Sequence, residues 1–118
     1  MSLDFYNNLE LKMSDENKIQ ELQILEHSLQ NLLMQKQAFQ MELSETQSAL
    51  EEIEKAGEDV FKIIGQIMVK SDKKKMIDDL KNKEKLLSIR LNSFEKQEAN
   101  LSEKAENLQK EILDKKKK

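Results

Sequence analysis

Two heptad-patterned segments of nearly equal length flank one short apolar run, Val60-Phe61-Lys62-Ile63-Ile64-Gly65-Gln66-Ile67-Met68-Val69-Lys70, and this symmetry constrains the fold more than any other feature of the chain. In the first segment, position a falls on Leu22, Leu29, Lys36, Leu43 and Leu50, and position d on Leu25, Leu32, Phe39, Thr46 and Ile53. In the second, a falls on Ile77, Glu84, Leu91, Glu98, Ala105 and Ile112, and d on Leu80, Leu87, Phe94, Leu101 and Leu108. Eight of the first ten and nine of the second eleven are apolar, which is the density of a coiled-coil seam. Two such helices joined by a short hairpin bury their seams by folding back on one another. The expected fold is mainly α: a long antiparallel coiled-coil hairpin, its two helices joined by one short β-hairpin. Folding about Gly65 sets residues whose numbers sum to about 130 opposite one another, so Leu50 faces Leu80, Leu43 faces Leu87, Phe39 faces Leu91 and Leu22 faces Leu108. Lys36 falls beside Phe94 and Glu95, and Thr46 meets Glu84.

Local signals set the expected boundaries. Ser14 offers a capping hydroxyl, and Asp15 and Glu16 suit the positive end of a helix. The first helix is expected over 15–56, roughly 60 Å at 1.5 Å per residue. Gly57 can close it in the left-handed conformation. Residues 1–14 are weakly patterned and read as a flexible arm. The β-hairpin is expected over 59–70 and the second helix over 72–114, starting at Ser71 or Asp72. Lys73-Lys74-Lys75 opposes the dipole of that first turn, whereas a lysine tail, Lys115, Lys116, Lys117 and Lys118, suits the other end. Residues 15–118 thus form a single domain.

Composition excludes much. Charged residues make up 36% of the chain, with no proline and two glycines, a profile of long helices. The net charge of −3, with both signs interleaved, gives no surface suited to nucleic acid. The absence of cysteine excludes disulfides and thiolate metal sites and fits a cytoplasmic protein. No apolar run approaches the roughly 20 residues that span a bilayer, and the N-terminus does not resemble a secretory signal. No membrane association is expected.

The central run is different in kind. Val60, Phe61, Ile63, Ile64, Ile67, Met68 and Val69 are β-branched, aromatic or long apolar residues, and Gly65-Gln66 suits a two-residue turn that begins with glycine. An isolated two-stranded hairpin is marginal in water, and one with apolar residues on both faces and two open edges invites association. Hairpins from several chains are therefore expected to share a sheet or closed barrel.

Nothing in the sequence assembles catalytic chemistry, so no enzymatic activity, cofactor or metal is expected. The single histidine, His27, lies outside the a and d positions and reads as a solvated residue. Paired carboxylates and lysines at helical spacing are ordinary surface charges. Two other features rise above this background. The end where the first helix starts and the second finishes carries Ile24, Leu33, Met34 and Leu113 outside the seam, a surface open to apolar segments of other proteins. The lysine tail offers charge to an acidic partner.

The helix–hairpin–helix order, with Val60-Phe61-Lys62-Ile63-Ile64-Gly65 followed by Ile67-Met68-Val69-Lys70, resembles the β-class subunit of prefoldin. Gln35-Lys36-Gln37, Glu45-Thr46-Gln47-Ser48-Ala49-Leu50-Glu51-Glu52 and Arg90-Leu91-Asn92-Ser93-Phe94-Glu95-Lys96-Gln97-Glu98 support the likeness, the last being similar to an archaeal segment. A single hairpin fits the β class, since the α class has two. The resemblance implies a subunit of a hexamer of two α and four β chains, with the hairpins forming a β-barrel platform. It implies an ATP-independent chaperone that holds unfolded polypeptide at its coiled-coil tips and delivers it to a group II chaperonin. Carried onto this chain, Ile19, Leu22, Leu25, Leu29, Leu101, Leu108 and Ile112 are the implied client-binding tip. Val60, Phe61, Ile63, Ile64, Ile67, Met68 and Val69 are the implied platform, and Lys115–Lys118 a chaperonin contact. The reading from a different class is a structural coiled-coil scaffold or tether, which would work through its long helix faces.

Overall fold

A computed structural model describes the backbone from Ser2 to Lys116 and the side chains of residues 15–114. The order is α1 (Ser2–Lys55), β1 (Val60–Ile64), β2 (Ile67–Ser71) and α2 (Lys73–Lys116). The chain divides into two compact units, Met1–Met34 with Glu95–Lys118, and Gln35–Phe94.

In the unit formed by Gln35–Phe94, α1 and α2 run antiparallel and meet along the expected seam. Leu50, Ile53, Leu87, Leu91 and Phe94 are buried there, together with Val60 at the start of β1. Contacts across the seam keep the expected register: Lys83 pairs with Glu42 at 3.1 Å, and the rings of Phe39 and Phe94 lie 5.2 Å apart, tilted by 54°. The ring beside Phe94 is thus that of Phe39, with the Arg90 guanidinium 5.6 Å above the Phe39 ring on the same helix pair. Thr46, a polar residue at a core position, is buried without cost to its hydroxyl, which donates to the Glu42 carbonyl one turn back at 2.8 Å.

In the unit formed by Met1–Met34 and Glu95–Lys118, Leu32, Leu108 and Ile112 are the buried apolar residues among those described. Lys18 pairs with Glu111 at 3.3 Å, a contact that obeys the same fold-back arithmetic.

Three expected boundaries are corrected. The first helix starts at Ser2 rather than near residue 15, so the segment read as an arm is a continuation of α1, and α1 has 54 residues to the 44 of α2. The reason is that no proline or glycine occurs before Gly57, and Ser14 is a good cap only where something else stops the helix. The side chains of residues 1–14 lie outside the described set. The second correction is at Gly57, which does not adopt a positive φ. Ala56 closes α1 by donating its N–H to the Glu52 and Ile53 carbonyls, and its own carbonyl accepts from Lys73 Nζ at 2.7 Å. A cation from the first turn of α2 thereby satisfies an orphan carbonyl at the negative end of α1, which is why a lysine is acceptable at a helix start. The third is minor: the hairpin and the start of α2 are shifted by one residue, with Ser71 in β2, and α2 ends two residues later, at Lys116. Asp72 caps α2 as expected, its Oδ1 accepting from the Lys74 N–H at 3.2 Å.

Candidate functional site

The hairpin forms because Gly65 takes φ +61°, the conformation open to glycine at the first position of a type II′ turn, while Gln66 keeps a negative φ. β1 and β2 pair antiparallel in the register Val60↔Ser71, Phe61↔Lys70, Lys62↔Val69, Ile63↔Met68 and Ile64↔Ile67. Directly opposed residues share a face. One face therefore carries Phe61, Ile63, Met68 and Lys70, and the other carries Val60, Lys62, Ile64, Ile67, Val69 and Ser71.

Both faces are apolar and neither is covered. Val60 alone is tucked away, against the helix ends, whereas Ile63 is 70% exposed and Ile67 and Met68 are each 66% exposed. Phe61, Ile64 and Val69 are exposed as well. The edges are also open, since the sheet has only these two strands. A two-residue loop makes Ile64 and Ile67 a hydrogen-bonded pair, so by the alternation of an antiparallel ladder the backbone groups of Phe61, Ile63, Met68 and Lys70 point outward. At the root of the hairpin, a concave corner of about 440 Å³ is lined by Ala49, Ile53, Val60, Phe61, Met76 and Leu80, large enough to receive apolar side chains.

The seven residues expected at the tip behave differently. Leu108 and Ile112 are buried, Leu22, Leu25, Leu29 and Leu101 are half-buried, and only Ile19 is classed as exposed, at 39%. The structure brings them together as the seam of one unit rather than as an open surface. Among the described residues, the exposed apolar side chains of that unit besides Ile19 are Ile24, Leu33, Met34 and Leu113, which lie outside the seam. Three further exposed apolar residues carried no reading in the sequence: Met41 on α1, and Leu86 and Ile89 spaced three apart on α2; their position off the seam was the available signal. Side chains of the lysine tail, Lys115–Lys118, lie outside the described residues. Among the described residues no cluster of His, Asp or Glu could hold a metal ion, and no helix is long and apolar enough to cross a membrane.

The sequence from residue 16 to residue 118 matches the family model described as prefoldin subunit. The chain belongs to the prefoldin subunit family. Among curated relatives, the prefoldin subunit beta of Thermococcus onnurineus is 43% identical over 94 residues, covering 78% of this chain and 81% of the relative. That of Methanosarcina acetivorans is 35% identical over 105 residues, covering 87% and 90%. The crystal structure of the prefoldin beta subunit from Thermococcus strain KS-1 superposes with a TM-score of 0.77 at 38% identity, covering 84% of this chain and 89% of that one. The single hairpin between two helices is the arrangement of this prefoldin β structure, so the fold and the family agree.

Proposed function

We propose that the chain is the β-class subunit of a prefoldin, an ATP-independent chaperone that holds unfolded polypeptide and passes it to a group II chaperonin. Membership of a chaperone family supports the general reading. The observation that carries the finer one is the hairpin, whose apolar residues are exposed on both faces of a sheet too small to stand alone. Burying six such side chains between chains is worth roughly 1.5–3 kcal/mol each, ample to drive assembly. The partners are an α-class subunit, in a hexamer of two α and four β chains, together with unfolded clients and a chaperonin that meets the lysine tail through charge.

Clients are held where α1 begins and α2 ends. The seam residues there, Leu22, Leu25 and Leu108 among them, become available to a client only when the two helices part, while Ile24 and Leu113 are accessible throughout. Each contact is weak, and several copies around one assembly supply retention through effective concentration. Replacing Leu22, Leu25 and Leu108 by Ser should abolish protection of an aggregating client by the assembled complex without changing its mass. The surface pair I24S/L113S leaves the seam intact and should reduce protection in part. Full protection by an intact assembly carrying both sets contradicts the client reading.

A further inference from the structure

Four methionines have described side chains, and they are not equivalent. Met34 and Met41, on α1 outside the seam, are 69% and 66% exposed, and Met68, on β2, is 66% exposed. Met76 is half-buried at the root of the hairpin. By exposure alone a small oxidant reaches the first three alike. The surroundings of each sulfur separate them. The residues three and four positions from Met41 on the helix, Gln37, Ala38, Ser44 and Glu45, are all exposed, a solvated setting. Met68 instead opposes Ile63 and shares its face with Phe61, both apolar and exposed. Its backbone groups point to the open edge of β2, where a further strand would lie.

Resting on the reading that the hairpin is an assembly element, we propose that Met68 is an oxidation site that decides whether a free chain can assemble. The oxidant is hydrogen peroxide. The thioether sulfur attacks one peroxide oxygen, an S–O bond forms as the O–O bond breaks, and the other oxygen leaves as water with both protons. The sulfur loses the two electrons that the peroxide gains. In the free chain, water solvates the new sulfoxide. Covered by a partner's apolar residues, the sulfoxide loses that water. Lys70, the one donor side chain on its face, is already paired with Asp59. The order of events therefore matters. Oxidation before assembly excludes the chain, whereas assembly first closes the face and shields the sulfur. Oxidation of Met34 or Met41 leaves the hairpin as it was.

The test treats the full chain with hydrogen peroxide, maps each methionine by peptide mass spectrometry, and follows mixing with a prefoldin α-class subunit by light scattering. Conversion of Met68 to the sulfoxide should weaken assembly by about tenfold, and M68Q, a polar stand-in, should do so without oxidant. M68L keeps an apolar side chain of similar volume. It should assemble as wild type does and stay competent after a dose that oxidises Met34 and Met41. M34L/M41L should lose assembly on treatment as wild type does. In the preformed complex Met68 should oxidise about tenfold more slowly than in the free chain, with Met34 and Met41 unchanged. Assembly as tight with oxidised Met68 as with the untreated chain overturns the proposal, as does equal loss in treated M68L. Those outcomes leave the assembly reading standing. An untreated chain that forms no larger species with the α-class subunit removes that reading, and the oxidation site with it.

Discussion

The seam of Gln35–Phe94 and the hairpin that it carries are built from the same side chains and leave them in opposite conditions. Leu50, Ile53, Leu87 and Leu91 are buried within the chain, while Ile63, Ile64, Ile67 and Met68, a few residues away, stand in water. The difference is one of period. Apolar residues spaced by three and four fall on one stripe of a helix, and a second helix from the same chain covers that stripe. Consecutive apolar residues in a strand alternate between two faces, and a sheet of two strands has nothing to cover either. A chain can satisfy the first pattern alone, whereas the second calls for other chains.

Substitutions in the two regions should therefore part company in what they damage. The largest effect is expected of I64D/I67D, which should remove about 3–6 kcal/mol of interchain burial and abolish assembly by light scattering, while the helical signal in circular dichroism melts unchanged. A melt that falls along with assembly would show that the hairpin supports the helices, and would blur the contrast. L87A should do the reverse at about 2–5 kcal/mol, lowering the melting temperature of the helices by opening a cavity in the seam. K73A tests the junction between the regions: loss of its bond to the Ala56 carbonyl should cost about 1 kcal/mol in the same melt, and K73R should restore part of it. The last pair of effects separates the two glycines. G65A places a side chain at φ +61° and should weaken the hairpin by about 1–2 kcal/mol, read as looser assembly. G57A meets open space without positive φ and should be neutral or stabilising by about 0.4–1 kcal/mol.

The parts that were legible in the sequence are those whose physics is local or strictly periodic. Heptads from Leu22 to Ile53 and from Ile77 to Ile112 located the helices, glycine at position 65 located the turn, and Asp72 the second cap. The likeness to prefoldin β, carried by the hairpin and by Arg90–Glu98, was likewise readable. What escaped depends on contacts distant in the chain. Gly57 looked like a left-handed cap, but the Ala56 carbonyl was satisfied instead by Lys73, seventeen positions on. Ser14 looked like a helix start, but nothing there stops the helix that precedes it. The residues expected at the tip were recognisable as apolar, yet the spacing that identified them also packs all but Ile19, so the accessible apolar surface described in that unit falls mainly to Ile24, Leu33, Met34 and Leu113. Pattern reports which residues seek burial, and only packing reports which have found it.

Amide hydrogen exchange in the hairpin tests the central claim most directly. The N–H groups of Phe61, Ile63, Met68 and Lys70 point away from the two-stranded ladder and should exchange freely in the isolated chain. On mixing with a prefoldin α-class subunit they should slow by orders of magnitude, as the open edges and faces gain partners. Unchanged exchange at all four in a mixture that has formed a discrete larger species would mean that assembly runs through some other surface, and would contradict the account.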